Sequence, residues 1–123
     1  QKAGIAALNG SQNCVQDMIR LFRERRELMI SLLNKLPNIS CKIPGGAFYA
    51  FPDFSAYLNK SVKGKLLKDT FDISEYILSS VNVVTVPGDG FGAKGHIRFS
   101  YATSTDTIER GLDKVSNALK NIT

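Results

Sequence analysis

Residues 86–104 read VPGDGFGAKGHIRFSYATS, and this stretch carries the main signal for the fold. It continues a β-branched run that begins at Val83, a composition typical of a strand. A tight Pro-Gly-Asp-Gly loop follows, and polar and apolar side chains then alternate over residues 96–101. Successive strand side chains point to opposite faces, so three apolar residues should share a buried face: Ile97, Phe99 and Tyr101. The pattern predicts two strands joined by a tight loop.

Upstream of this stretch, the sequence predicts a long helix and another strand. Apolar residues recur at helical spacing from about Cys14 to Leu36, Asn13 can cap the helix, and Pro37 ends it. Aromatic residues dominate positions 47–51, which predicts a strand. The helix should bury a stripe made of Val15, Met18, Ile19, Phe22, Met29, Leu33 and Leu36. The strand should place Phe48, Tyr49 and Phe51 in the core.

Two further helices flank the central stretch. Asp72 with Glu75 resembles a capping box, and Asn82 is a plausible left-handed exit residue just after that helix. The last helix should begin near Ser104. Its apolar positions follow one another by three and four, which predicts one buried face made of Ile108, Leu112, Val115, Leu119 and Ile122.

This order of elements predicts an α+β fold in two layers. We expect a small three- to four-stranded, mainly antiparallel sheet with helices packed on one face. Residues 1–123 should form a single domain, in which residues 1–36 are a helical segment and residues 37–123 form the sheet and its covering helices. The chain opens on Gln1 inside a helical pattern with no start signal, so we expect it to be a piece of a longer protein.

Composition narrows the function classes. The chain has a net charge of +5, but its basic residues are interleaved with acidic ones along the first helix. No apolar run approaches the roughly 18 residues that a membrane span requires. The two cysteines and one histidine have no metal-ligand spacing, so we expect free thiols and no metal site. We expect neither a membrane nor a nucleic acid as a partner.

Arg98 is the candidate binding residue. Alternation places it with His96 and Ser100 on the strand face opposite the core. An arginine there is most often simply solvated. The functional alternative is that a rigid strand presents the guanidinium fork to a carboxylate, which would form two parallel charge-assisted hydrogen bonds that lysine cannot copy. The residues alone leave both interpretations open.

Three segments resemble class I and II aminotransferases that use pyridoxal phosphate, in particular the aspartate aminotransferase group. They are RERRELMISLLNKL (residues 23–36), PGGAFYAFPDF (residues 44–54) and VPGDGFGAKGHIRFSYATS (residues 86–104). They occur in the order typical of that family, and the resemblance extends from about Ala3 to Leu119. Two mild departures are Asn82, where glycine is common, and Asp89-Gly90, where small residues are common.

The resemblance implies that this chain is the carboxy-terminal small domain of an aminotransferase. Arg98 would then bind the substrate α-carboxylate, residues 87–92 would shape the approach to it, and residues 1–36 would be an interdomain helical segment. The Schiff-base lysine and the other pyridoxal 5'-phosphate ligands would lie in a preceding large domain. The chain would therefore hold no catalytic and no cofactor-binding residue, and would be inactive alone.

The resemblance further implies a cytoplasmic homodimer that moves an amino group between an amino acid, aspartate above all, and a 2-oxo acid. Two alternatives stay open at this point. One is a free-standing basic α+β module that binds an anion or a nucleic acid through the lysines of residues 60–68. The other keeps the fold but performs decarboxylation, elimination or cyclopropane formation, because fold does not fix chemistry.

Overall fold

The structure is a computed structural model that describes residues 1–123. Four α-helices are present: α1 (Lys2–Asn9), α2 (Asn13–Leu33), α3 (Thr70–Val81) and α4 (Thr105–Leu119). Five short strands lie between them: β1 (Tyr49–Ala50), β2 (Ser61–Val62), β3 (Lys65–Leu66), β4 (Val86–Pro87) and β5 (Ile97–Ser100). Two 3-10 turns complete the order, at Ser55–Tyr57 and Gly88–Phe91. No helix is both long and apolar enough to cross a membrane.

The main sheet has three antiparallel strands in the order β1-β5-β4. Its register pairs Tyr49 with Ser100 on one side of β5, and Val86 with Arg98 on the other. Strands β2 and β3 form a separate antiparallel hairpin. The predicted α+β fold with a small antiparallel sheet is therefore confirmed, and β5 is its central strand.

One hydrophobic core lies between the sheet and the helices. The apolar face of β5 is buried as predicted: Ile97, Phe99 and Tyr101 are at most 5% exposed. The predicted face of α4 is buried against it in full, from Ile108 to Ile122. The buried residues of α2 are Met29, Ile30 and Leu33 in its carboxy-terminal half, and Phe22 packs against the core half-buried. The residues of α2 before Phe22 do not belong to this core. Residues on the opposite face of β5 are thus left facing away from the helices.

Several predicted boundaries were wrong. Helix α2 ends at Leu33 rather than Leu36, and no Asn13 side-chain cap forms, because Gln12 occupies the cap position. Helix α3 is capped by Asp69, whose carboxylate accepts a hydrogen bond from the Asp72 backbone N–H at 3.0 Å. Asn82, in contrast, does adopt the left-handed conformation at the helix exit, with φ 56°. Ser104 caps α4 as predicted.

Two predicted sets of core residues were also wrong. Phe48 is exposed, and Tyr49 and Phe51 are only half-buried, because Ala50 is the residue of this strand that points into the core. Met18 and Ile19 in the amino-terminal half of α2 are exposed, since that half of the helix extends past the sheet and the other helices. Phe22 of the same predicted stripe is half-buried and its ring lies 6.3 Å from that of Tyr101, so the stripe is covered only in part.

Candidate functional site

Arg98 occupies the middle of the central strand on the face away from the helices. Arg98 is half-buried. On the same face, His96 is half-buried and Ser100 is exposed. Strand β5 is held on both sides, by β1 and β4. The arginine therefore projects from a position whose backbone is fixed by two neighbouring strands.

Two aromatic rings flank the Arg98 guanidinium. Its Cζ atom lies 5.3 Å from the centre of the Tyr49 ring and 5.5 Å from the centre of the Phe91 ring. Both distances are within the range of cation–π attraction. Tyr49 reaches the arginine from β1, and Phe91 reaches it from the end of the 3-10 turn Gly88–Phe91.

Arg98 has no acidic partner in the chain. The five ion pairs involve Arg20, Lys65 and Arg110 as the cations. A half-buried arginine whose charge is not compensated favours an anion from outside the chain. This is the electrostatic property that a carboxylate-binding residue requires.

The loop that carries Phe91 is tied down at two points. The Gly88 N–H donates to the carbonyl of His96, the residue just before β5, at 2.7 Å. The Asp89 carboxylate accepts hydrogen bonds from the Thr70 backbone N–H, at 2.9 Å, and from the Thr70 hydroxyl, at the start of α3. These Thr70 hydrogen bonds lower the pKa of Asp89 below its ordinary value, because they stabilise the charged form.

A groove that Tyr49 and His96 border opens on the sheet face to which Arg98 belongs. It has a volume of about 460 Å³ and is bordered by Ser40, Lys42, Tyr49, Phe51, Asp53 and His96. The His96 ring lies against the Phe51 ring, with 5.3 Å between their centres. The pKa of Asp53 is lowered, chiefly by hydrogen bonds from Ser55. Tyr49 thus borders both the groove and the arginine.

The basic segment of residues 60–68 is partly neutralised. The Lys65 ammonium lies 3.0 Å from a carboxylate oxygen of Asp72 and 2.8 Å from one of Glu75, and its pKa is raised by those hydrogen bonds. Lys60 lies over the Tyr57 ring at 5.8 Å. The Lys65 ion pairs reduce the free positive charge that an anion- or nucleic-acid-binding surface would use here.

Sequence reasoning identified Arg98 but missed what surrounds it. Tyr49 was assigned to the core, and Phe91 was assigned only to a loop that shapes the approach. Strand alternation places Tyr49 and Ala50 on opposite faces, and the burial of Ala50 in the structure shows that Tyr49 lies on the Arg98 face. No group of three or more His, Cys, Asp or Glu side chains is arranged to hold a metal ion.

Comparison with known proteins assigns the family. The chain matches the family described as aminotransferase class I and II over residues 1–115, and it belongs to that family. It is 37% identical over 121 residues to an aspartate/prephenate aminotransferase of Nitrosomonas europaea, which covers 97% of this chain. It is 36% identical over 119 residues to an aspartate aminotransferase of Rhizobium meliloti, which covers 96% of this chain.

Solved structures agree with this assignment. The crystal structure of an aspartate aminotransferase from Rhizobium meliloti is similar with a TM-score of 0.93 and 34% identity, over 98% of this chain and 30% of that chain. An alanine aminotransferase from Pyrococcus furiosus is similar with a TM-score of 0.83 and 28% identity, over 96% of this chain and 28% of that chain. The chain spans 30% of the length of the Nitrosomonas europaea relative and 29% of the length of the Rhizobium meliloti relative.

The residues of this chain do not form a pyridoxal phosphate site by themselves. A Schiff-base lysine must present a neutral amine, which burial in an apolar pocket favours. No lysine of the chain is buried, and Lys65 instead has a raised pKa at the surface. Among these residues, Arg98 is the candidate for binding an anionic group.

Proposed function

We propose that the intact protein is a pyridoxal-phosphate-dependent aminotransferase and that residues 1–123 form its carboxy-terminal, substrate-binding small domain. In this proposal Arg98 binds the α-carboxylate of the amino acid and of the 2-oxo acid. The observation that carries the proposal is the uncompensated guanidinium of Arg98, half-buried on a central strand between two rings. Family membership supports the reaction class.

The role of Arg98 in this proposal is positioning. A guanidinium fork bonds a carboxylate through two parallel N–H donors, so it fixes the direction of the substrate as well as its location. Fixing the carboxylate fixes the amino group and the Cα–H bond, because all three are attached to the same carbon. When bound in the intact protein, pyridoxal phosphate supplies the electron sink for amino-group transfer.

Aspartate is the amino acid we propose. Relatives at 36–37% identity carry the names aspartate and aspartate/prephenate aminotransferase. Structures named as alanine and aromatic aminotransferases are also similar, with TM-scores of 0.83 and 0.80. The α-carboxylate is common to all these amino acids, so the role of Arg98 does not depend on which of them is used.

The test is the kinetics of Arg98→Ala in the full-length enzyme. Removing one partner of a desolvated charge pair costs about 2–5 kcal/mol. Since about 1.4 kcal/mol corresponds to a factor of ten, the KM for L-aspartate should rise by a factor between about 30 and a few thousand. Arg98→Lys should recover only part of the loss, because a lysine cannot form the two parallel bonds.

Arg110→Ala is the matched control. Arg110 is an exposed arginine on α4 that pairs with Asp106 at 2.7 Å, and surface pairs of this kind contribute little. The KM of Arg110→Ala for L-aspartate should stay close to that of the unaltered enzyme. An unchanged KM in Arg98→Ala would remove Arg98 from the substrate site.

The other expectations stay predictions of the same proposal. We expect the intact enzyme to be a cytoplasmic homodimer and the chain alone to be inactive, since its exposed lysines offer no Schiff-base site. The free thiols, with Cys14 exposed and Cys41 buried, are compatible with a reducing compartment.

A further inference from the structure

Arg98 has a long side chain, and its rotamer freedom is lost when it binds a carboxylate. A side chain that is already held in its binding orientation loses less entropy on binding. The contacts that hold Arg98 before substrate arrives therefore bear on its affinity. In this chain those contacts are the rings of Tyr49 and Phe91.

We propose that Tyr49 and Phe91 are positioning residues that hold the Arg98 guanidinium between two rings, and that hydrogen bonds between Asp89 and Thr70 keep Phe91 in place. This inference rests on the proposed function, because it assigns roles around the same arginine. We call the two rings the aromatic clamp, and we call the Asp89–Thr70 hydrogen bonds the latch.

Strand pairing places Tyr49 in the clamp. Tyr49 is directly opposite Ser100 in the antiparallel register of β1 and β5. Arg98 is two residues before Ser100 on the same face, so Tyr49 and Arg98 are diagonal neighbours, a separation that long and aromatic side chains span. The sheet therefore fixes this half of the clamp.

Phe91 has no such support from a strand. It is 62% exposed and belongs to a short turn, a position that would leave an aromatic ring free to move. Its contact with Arg98 depends on the conformation of residues 88–91. Whatever fixes that turn therefore fixes the second half of the clamp.

The turn is anchored at its first two residues. Gly88 is bonded to His96, two residues before Arg98 on β5. Asp89 is bonded to Thr70, which is 0% exposed at the first position of α3. The Asp89 backbone N–H also donates to the Thr70 hydroxyl at 3.2 Å. The latch thus joins the Phe91 turn to a buried residue of a neighbouring helix.

The test uses KM for L-aspartate in the full-length enzyme. Cation–π contacts of this type correspond to roughly 2- to 30-fold in affinity. Phe91→Leu and Tyr49→Leu should each raise KM by a factor in that range, with kcat changed less than KM. Phe91→Tyr and Tyr49→Phe keep the rings and should restore a KM near that of the unaltered enzyme.

A double-variant comparison separates positioning from a general loss of structure. In an Arg98→Ala background, Phe91→Leu should raise KM no further, because the guanidinium that the ring holds is gone. An equal KM increase in both backgrounds would overturn the clamp. If Arg98→Ala itself left KM unchanged, the proposed function would fail instead, so the two failures are distinguishable.

Asp89→Ala tests the latch. It should raise KM in the same direction as Phe91→Leu, and the Asp89→Ala/Phe91→Leu double variant should match Phe91→Leu alone. Asp113→Ala, which removes an exposed carboxylate of α4, is the control and should leave KM unchanged. A normal KM in Asp89→Ala, or fully additive effects in the double variant, would overturn the latch.

Discussion

Gly88 is the residue at which the Phe91 turn meets β5. A Cβ atom added there would lie 2.3 Å from the His96 carbonyl oxygen and 2.6 Å from that of Ala93. Both are backbone atoms, which cannot rotate away as a flexible side chain could. Close approach of two backbone segments is therefore the reason that only glycine fits at this position.

Gly88→Ala should destabilise the protein and displace the turn. We expect a loss of about 1–3 kcal/mol in the free energy of unfolding, the usual cost of forcing extra volume into a packed site. Urea denaturation measures it. Gly45→Ala is the control, because a Cβ there meets nothing within 4 Å. Equal stabilities of the two variants would contradict the steric argument.

Tyr49 shows what single-residue reasoning can and cannot reach. An aromatic residue on a strand is most often core, which is why the sequence suggested burial. The small Ala50 is 0% exposed instead, and this places its neighbours on the opposite face. Which of two alternate faces is covered depends on the helices that pack there, and those contacts come from distant parts of the chain.

The start of α3 shows the same limit at the scale of an element. The sequence pattern favoured Asp72, with Glu75 three residues on, as the cap of this helix. In the structure Asp69 caps the helix, because its carboxylate accepts a hydrogen bond from the Asp72 N–H. The Asp72 carboxylate instead accepts a hydrogen bond from the Lys68 N–H at 2.9 Å. Asp89, from a loop 19 residues away, then bonds Thr70. Local sequence predicted a helix here but could not reveal that third carboxylate.

Low pH should remove the stabilisation that the Asp89 and Asp72 carboxylates give to the start of α3. Hydrogen bonds from Thr70 to Asp89, and from Lys68 and Lys65 to Asp72, hold both pKa values below the ordinary 3.8. Since the folded values are depressed, the stabilisation is present above pH 3.8 and is lost as pH falls through the folded values. The free energy of unfolding should therefore decrease as the pH is lowered below about 4.

Asp89→Asn should make that decrease shallower, because it removes one of the carboxylates whose pKa is lowered in the folded state. Denaturation curves between pH 2 and 6 would measure the slope for Asp89→Asn and for Asp113→Asn, an exposed α4 residue, as the control. The control should keep the full slope. An unaltered slope in Asp89→Asn would mean that the Thr70 hydrogen bonds do not stabilise the folded state.

The β-branched run at residues 83–86 marks another limit of propensity. It favours a four-residue strand, but only Val86 belongs to β4. Pairing with β5 stops where Val86 meets Arg98, and beyond it a cavity of about 370 Å³ is bordered by Val83, Val84, Phe99 and Ser100. Propensity describes the residue, whereas strand length also requires a partner within hydrogen-bonding distance.

At the scale of the whole molecule, apolar surface is concentrated on α1 and the first half of α2. Helix α1 has no buried residue. Five large hydrophobic side chains are more than 40% exposed there: Ile5 and Leu8 on α1, and Met18, Ile19 and Leu21 on α2. The helical period predicted that Met18 and Ile19 belong to an apolar face, but it could not predict what covers that face.

We expect this apolar surface to make residues 1–123 self-associate when they are produced alone, because exposed patches of this kind are typical of interaction sites. Sedimentation velocity over a tenfold concentration range should show a rising average mass. Replacing Met18 and Ile19 by lysine should shift the chain toward the monomer. Val84→Lys is the control: Val84 is 78% exposed but lies outside α1 and α2, so this change should leave the self-association unaltered. A concentration-independent monomer would show that apolar helices at the surface do not drive association here.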